Sequence, residues 1–189
     1  MTTKQISSPI EYWNDGKTRI ISPEDENGRK IEIGYFFGVQ FTGYSTHYPL
    51  PLLYSHYNEK LILPTKEMFM SLGRATLYDE LMHYEGDLKH TDLMYNGDVY
   101  YFVYNMANYY HFIYDTLPYL YGYFNEKQYF PNLKLLVSPP EGKIDLYPFV
   151  WDTLALLGIT RNDVVFLNDK ARYKMVLVGS SLTHDGLSN

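Results

Sequence analysis

His111 and Asp115 stand four residues apart in the run Asn108-Tyr-Tyr-His-Phe-Ile-Tyr-Asp-Thr-Leu-Pro118. On a helix that spacing puts both side chains on one face, within reach of each other. A carboxylate held against an imidazole orients the ring and raises its basicity, which is what a general base needs. The run follows a β-type stretch, Val99-Tyr-Tyr-Phe-Val-Tyr104, and opens a segment that reads as helix to about Lys127. Asn108 suits the N-cap, because its side-chain oxygen can accept an orphan N–H of the first turn. The end of a strand, where a helix begins, is where α/β proteins tend to place chemistry, and the free N–H groups there suit phosphate or sugar oxygens.

At 100° per residue, Tyr109, Ile113, Leu117, Leu120 and Phe124 fall in one arc, with Tyr110 and Tyr121 at its edge. This arc is the one expected to bury against a sheet. His111, Asp115, Pro118 and Gly122 fall opposite, so the pair is expected to point away from the helix's own core. Pro118 sits in mid-helix, removes a hydrogen bond to the Tyr114 carbonyl and predicts a kink costing roughly 3 kcal/mol. The plain alternative is an exposed His–Asp pair contributing about 0.3 kcal/mol to helix stability.

Other candidates are weaker. His184 and Asp185, after the last β run, could share the rim with His111, or could belong to a tail. His47 and His56 have no carboxylate or second histidine at ligand spacing and read as surface or packing residues. His83 lies in a charged surface setting beside Glu85. A metal hydrolase built on His111 and Asp115 would have two clustered ligands, short of the three a catalytic zinc takes, and no HExxH is present. No GxGxxG follows the first strand of the later β/α series, so a dinucleotide fingerprint is absent.

The elements that must position these residues follow from pattern and punctuation. Residues 1–30 are rich in turn signals and read as an irregular N-terminal segment or a short hairpin, with Asn27-Gly28 a candidate turn between Arg19–Ser22 and Lys30–Ile33. Residues 31–97 read as a β-rich and helical extension. In it lie an aromatic strand from Ile31 to Phe41, a possible pairing of Leu52–Tyr54 with Lys60–Leu63, a helix over 65–85, and polar loop to an Asn96-Gly97 turn. Residues 98–189 read as βαβαββ: strands at Val99–Tyr104, Leu133–Val137, Val164–Leu167 and Met175–Val178, and helices at 109–127 and Leu146–Leu157. Asp145 is the expected cap of the second helix, and Gly158-Ile159 a C-terminal stop of Schellman type. Short connections favour a parallel sheet, hence an α/β fold with a Rossmann-like lobe. The last strand stops in a loop where a doubly wound domain would continue into a helix, so the expectation is the N-terminal part of a longer protein.

Composition bounds the function. With 46% hydrophobic and 20% charged residues, the 189-residue chain can build a core and is not disordered by composition. A net charge of −6, a pI near 5.4 and the absence of a basic run argue against general nucleic-acid binding. There are no cysteines, hence no disulfides or thiolate metal sites. The first ten residues lack an apolar signal core, and no stretch approaches the ~18 apolar residues of a membrane span; a cytoplasmic protein is the expectation. The 21 tyrosines are spread along the chain and read mainly as half-buried core residues, with sugar or base stacking the functional alternative.

The ordered pattern Asn-Tyr-Tyr-His-Phe-x-x-Asp-x-Leu-Pro at 108–118 resembles the hallmark segment of the family 61 glycosyltransferases. The order downstream is similar too: Leu133–Ser138 as a strand, a helix ending Leu156-Leu-Gly-Ile159, then Leu177–Ser181. The likeness covers roughly residues 95–189. It implies the N-terminal half of a GT-B architecture, on the acceptor side of an inverting transferase that uses a nucleotide sugar. His111 is then the implied base and Asp115 its orienting partner, with Asn108, Tyr110, Tyr114, Tyr119 and His184 as substrate contacts. Tyr119 stands where relatives often carry a basic residue. The implied partners are a glycan acceptor, a nucleotide sugar and a C-terminal donor-binding lobe, with no cofactor or metal requirement. A non-catalytic glycan-binding or structural module is the alternative.

Overall fold

The computed structural model describes residues 10–12, 17–20, 32–41, 53–56, 60–63, 94–104, 106–168 and 170–179. Nine strands form one mixed sheet among them: β1 (Ile10–Tyr12), β2 (Lys17–Ile20), β3 (Glu32–Phe41), β4 (Leu53–Ser55), β5 (Lys60–Leu63), β6 (Met94–Val103), β7 (Lys134–Val137), β8 (Val164–Phe166) and β9 (Ala171–Gly179). The order across the sheet is β1-β5-β4-β3-β9-β6-β7-β8, with β2 also paired to β3. Strands β9, β6, β7 and β8 run parallel, whereas β3 meets β9 antiparallel and continues antiparallel into β4 and β2. The fold is mixed α/β, and strands from 31–97 and from 98–189 share the sheet through the β3–β9 pair.

Local signals account for much of this. Ile20 faces Glu32 across the β2–β3 pair, and Tyr54 faces Leu61 across the β4–β5 pair, as the turn chemistry suggests. Asn96-Gly97 differs from expectation. It lies inside β6, where the register against β9 slips between Asn96 and Val99, so the dipeptide marks a bulge within a strand. The expected helix over 65–85 lies outside the described residues.

Residues 100–103 of β6 are buried on both faces, which is why this part reads as a continuous apolar run. On one face Phe102 packs on Phe41, and Tyr100 meets Tyr173 edge-on. On the other, Tyr101 packs on Tyr119 and Tyr123 of the covering helix. That helix is composite: an α-helical turn, α1 (Tyr109–His111), a π-helical stretch (Phe112–Thr116), and α2 (Leu117–Lys127). Closest approach comes at Gly122, where a Cβ would lie 2.2 Å from the Tyr101 hydroxyl oxygen, and at Gly179, where it would lie 2.4 Å away. Only hydrogen in those places lets the helix, Tyr101 and β9 meet.

The second helix, α3, spans Pro148–Leu156. Its cap position is Tyr147, not Asp145, because proline at the first helical position forces its predecessor to be extended. Asp145 instead accepts the Leu146 N–H at 2.8 Å, the Trp151 indole N–H at 2.9 Å and the Arg161 guanidinium at 3.0 Å. The helix ends as the sequence suggests. Gly158 is left-handed (φ 75°), its N–H bonds to the Ala155 carbonyl, and the Ile159 N–H reaches the Leu154 carbonyl, a complete Schellman motif.

Candidate functional site

The chain leaves β6 through Tyr104 and turns into α1 at Asn108. The Asn108 side chain accepts the His111 N–H at 3.3 Å, and the Asn108 carbonyl accepts the Phe112 N–H at 2.8 Å. The helix then widens. The Leu117 N–H bonds back five residues to the Phe112 carbonyl, which closes the π-helical stretch. Pro118 thus enters in the first turn of α2, where its missing N–H is not needed. The expected mid-helix kink is replaced by a π-helical widening, a device that often marks functional sites.

His111 Nδ1 lies 2.7 Å from Asp115 Oδ2. The two side chains differ sharply in exposure: 44% for His111 and 5% for Asp115. With the carboxylate ionised, Nδ1 is the donor in this contact, and a neutral ring then presents its Nε2 lone pair. The outcome is a half-exposed imidazole braced from below by a buried carboxylate.

That corrects the helical-wheel expectation. The buried face of the composite helix is Phe112, Asp115, Thr116, Tyr119, Leu120, Gly122, Tyr123 and Glu126, whereas Tyr109 and Phe124 are exposed. Apolarity alone could not choose, because both arcs carry aromatic side chains. Glycine at 122 and the tyrosine hydroxyls decided it. Tyr101 donates to the Tyr119 carbonyl at 2.9 Å, and Tyr119 accepts the Gly179 N–H at 2.8 Å. On the same face the Tyr35 hydroxyl of β3 donates to the buried Glu126 at 2.7 Å. Burial drives the Tyr101 and Tyr119 hydroxyls well above the usual phenol range, so they stay protonated donors. Of the arc expected against the sheet, Leu120 is buried, whereas Leu117 and Phe124, with Pro118 and Tyr121, line an apolar groove of about 590 Å³ facing Leu156 and Leu157 of the second helix.

The other candidates separate cleanly. Tyr110 and Tyr114 stand beside the pair, stacked on each other at 4.5 Å and 28°, each more than half exposed. Tyr110 also meets the His111 ring edge-on at 5.5 Å. Tyr119 is a core residue whose hydroxyl is taken by Gly179, so its burial leaves a substrate no surface there. His184 and Asp185 lie outside the described residues, as do His47 and His83. His56 is half-buried, 3.1 Å from the Gln40 side chain and edge-on to Tyr54, a packing position.

Compared with protein-family models, with curated proteins and with solved structures, the chain matches none of them. What the site can do therefore rests on its geometry. Among the described residues no group of three or more His, Cys, Asp or Glu stands close enough to hold a metal ion. Among the same residues no helix is long and apolar enough to cross a membrane.

Sequence reasoning missed a second polar cluster, at the other end of the composite helix. Lys127 donates to the Tyr123 hydroxyl (2.7 Å), the Leu133 carbonyl (3.0 Å) and Asp163 (2.9 Å). Hydrogen bonding from Lys127, and then from Thr160, holds the Asp163 carboxyl down at about 2. Lys127 and Asp163 are 36 residues apart, beyond any local pattern. Only the Thr160-x-x-Asp163 capping box at one end of it has a local signature.

Proposed function

We propose that this chain forms the acceptor-side lobe of an inverting glycosyltransferase of the family 61 type, a Rossmann-like half of a GT-B architecture. The observation that carries the reading is the buried Asp115 carboxylate set on Nδ1 of a half-exposed His111. Inversion needs a base to take the proton of an acceptor hydroxyl as its oxygen attacks the anomeric carbon. Nε2 of His111 is that base, and Asp115 stabilises the imidazolium that forms. The departing nucleotide needs positive or hydrogen-bonding groups, and these belong to the donor-binding lobe that the resemblance implies. Asn108 shapes the turn that carries His111. Tyr110 and Tyr114 offer aromatic faces beside the base, suited to the apolar C–H face of a pyranose ring.

The test is His111→Ala in the enzyme with its donor lobe, read as nucleotide release from a panel of nucleotide sugars. Loss of turnover in a variant that stays folded supports the proposal. Turnover close to that of the unaltered enzyme removes His111 from catalysis. The same stack of Tyr110 and Tyr114 also suits a non-catalytic glycan-binding module. That second reading predicts glycan binding without nucleotide release from any donor.

A further inference from the structure

The His111–Asp115 pair rides on the first part of a continuous helix, an α-helical turn that carries His111 followed by five π-helical residues. Where such a stretch sits is set by its tertiary contacts. One of these is Tyr104, the residue that ends the β6 run, and it acts twice. Its carbonyl accepts the Thr116 Oγ1 hydroxyl at 3.0 Å, and its own hydroxyl donates to the Asp115 carbonyl at 3.4 Å. Tyr104 and Thr116 are both buried, and the Tyr104 ring is further fixed edge-on against Tyr119 at 5.2 Å. The strand and the π-helical stretch are thereby stitched at two successive residues, one of which is Asp115 itself.

We infer that Tyr104 and Thr116 are positioning residues for His111: they pin the backbone of Asp115 so that its carboxylate stays on Nδ1–H and Nε2 stays an acceptor. The physical reason is one of tolerance. A buried carboxylate selects the ring tautomer only while it lies within hydrogen-bond distance, and a shift of about 1 Å forfeits that selection. The inference rests on the transferase reading only for its kinetic consequence, since the tautomer is measurable in the chain without any substrate.

The experiment is nitrogen-15 NMR of the His111 ring, in the pH range where it is neutral, on the unaltered chain and on three variants. The unaltered chain is expected to show the Nδ1–H tautomer. Thr116→Val, nearly isosteric but without the hydroxyl, is expected to shift His111 toward the Nε2–H form that a free imidazole side chain prefers. Thr116→Ser restores the hydroxyl and the Nδ1–H tautomer. Because Thr116→Val leaves the Tyr104 carbonyl without this donor and could unfold the chain, Tyr104→Phe serves as the second probe, and it is expected to move the tautomer in the same direction by less. In the enzyme with its donor lobe, Thr116→Val lowers kcat about tenfold with KM unchanged, and Thr116→Ser recovers it. An Nε2–H tautomer in the unaltered chain, or an unmoved tautomer in folded Thr116→Val or Tyr104→Phe, overturns the inference. If the tautomer shifts as expected while His111→Ala keeps its turnover, the positioning role stands and the transferase reading falls.

Discussion

The composite helix carries a polar pair near each end, and the two pairs are built differently. At its C-terminal end Lys127 has three ammonium hydrogens and three acceptors, so the Lys127–Asp163 pair is saturated and clasps α2 to the turn before β8. At its N-terminal end one ring nitrogen of His111 meets Asp115, and among the described residues the other side of the half-exposed imidazole has no side-chain hydrogen-bond partner. On the transferase reading proposed above, the difference shows how to tell a structural pair from a chemical one in the same element. What matters is less the strength of the contact than whether donors and acceptors remain after it is made.

If that distinction holds, substitutions at the two ends separate catalysis from stability. On the transferase reading proposed above, the largest effect is expected for His111→Ala in the enzyme with its donor lobe: turnover falls about a thousandfold, equivalent to ~4 kcal/mol of barrier, while the variant stays folded. Next comes Gly122→Ala in the helix between the pairs. A methyl group there collides with the Tyr101 hydroxyl and with Ile33, so the chain loses about 2–3 kcal/mol in denaturant unfolding. An unchanged midpoint would mean that the helix does not sit this close to β6.

Lys127→Met inverts the His111 result. Stability falls by about 1–2 kcal/mol, because the Leu133 carbonyl and Asp163 lose a donor, and turnover is untouched. A loss of turnover at constant stability would abolish the distinction drawn between the pairs. The smallest effect is the pH response of the same clasp. The folded Asp163 carboxyl lies at about 2, below its ordinary 3.8, so its contribution is complete above about pH 4 and is lost as pH falls toward 2. Asp163→Asn is expected to flatten the acid limb of the stability curve by about 1 kcal/mol relative to the unaltered chain, and an unaltered limb would place the acid-sensitive groups elsewhere.

Much of the scaffold was legible because it is written in neighbours. Lys134–Val137 forms β7 within the expected Leu133–Val137 run, Gly158-Ile159 closes α3, and residues 17–20 pair with β3, each from a signal within a few residues. The His111–Asp115 contact was equally legible, since four residues on a helix bring two side chains together whatever surrounds them. What failed was orientation. The wheel ranked Tyr109, Ile113, Leu117, Leu120 and Phe124 as the buried arc because it counts apolar atoms, and of these only Leu120 is fully buried. The sheet took the arc with Gly122 and the tyrosines, because close approach and paired hydroxyls outweigh a few methyl groups. Asp115 was therefore read as facing outward and is in fact beneath the histidine. Asp145 was read as a cap for the same kind of reason, local chemistry scored without the constraint Pro148 places on its predecessor.

The chain by itself determined most of its strands, the Schellman end of α3, the bracing of His111 by a carboxylate four residues on and the acidic, cysteine-free composition. All of these depend on residues within a turn or a hairpin of each other. The tertiary structure alone decided that β9 inserts between β3 and β6, that Gly122 seats the helix on Tyr101, that Lys127 finds Asp163, and that Tyr104 reaches back to hold Asp115 and Thr116. Those depend on which surfaces meet, and a periodic pattern carries no record of its partner.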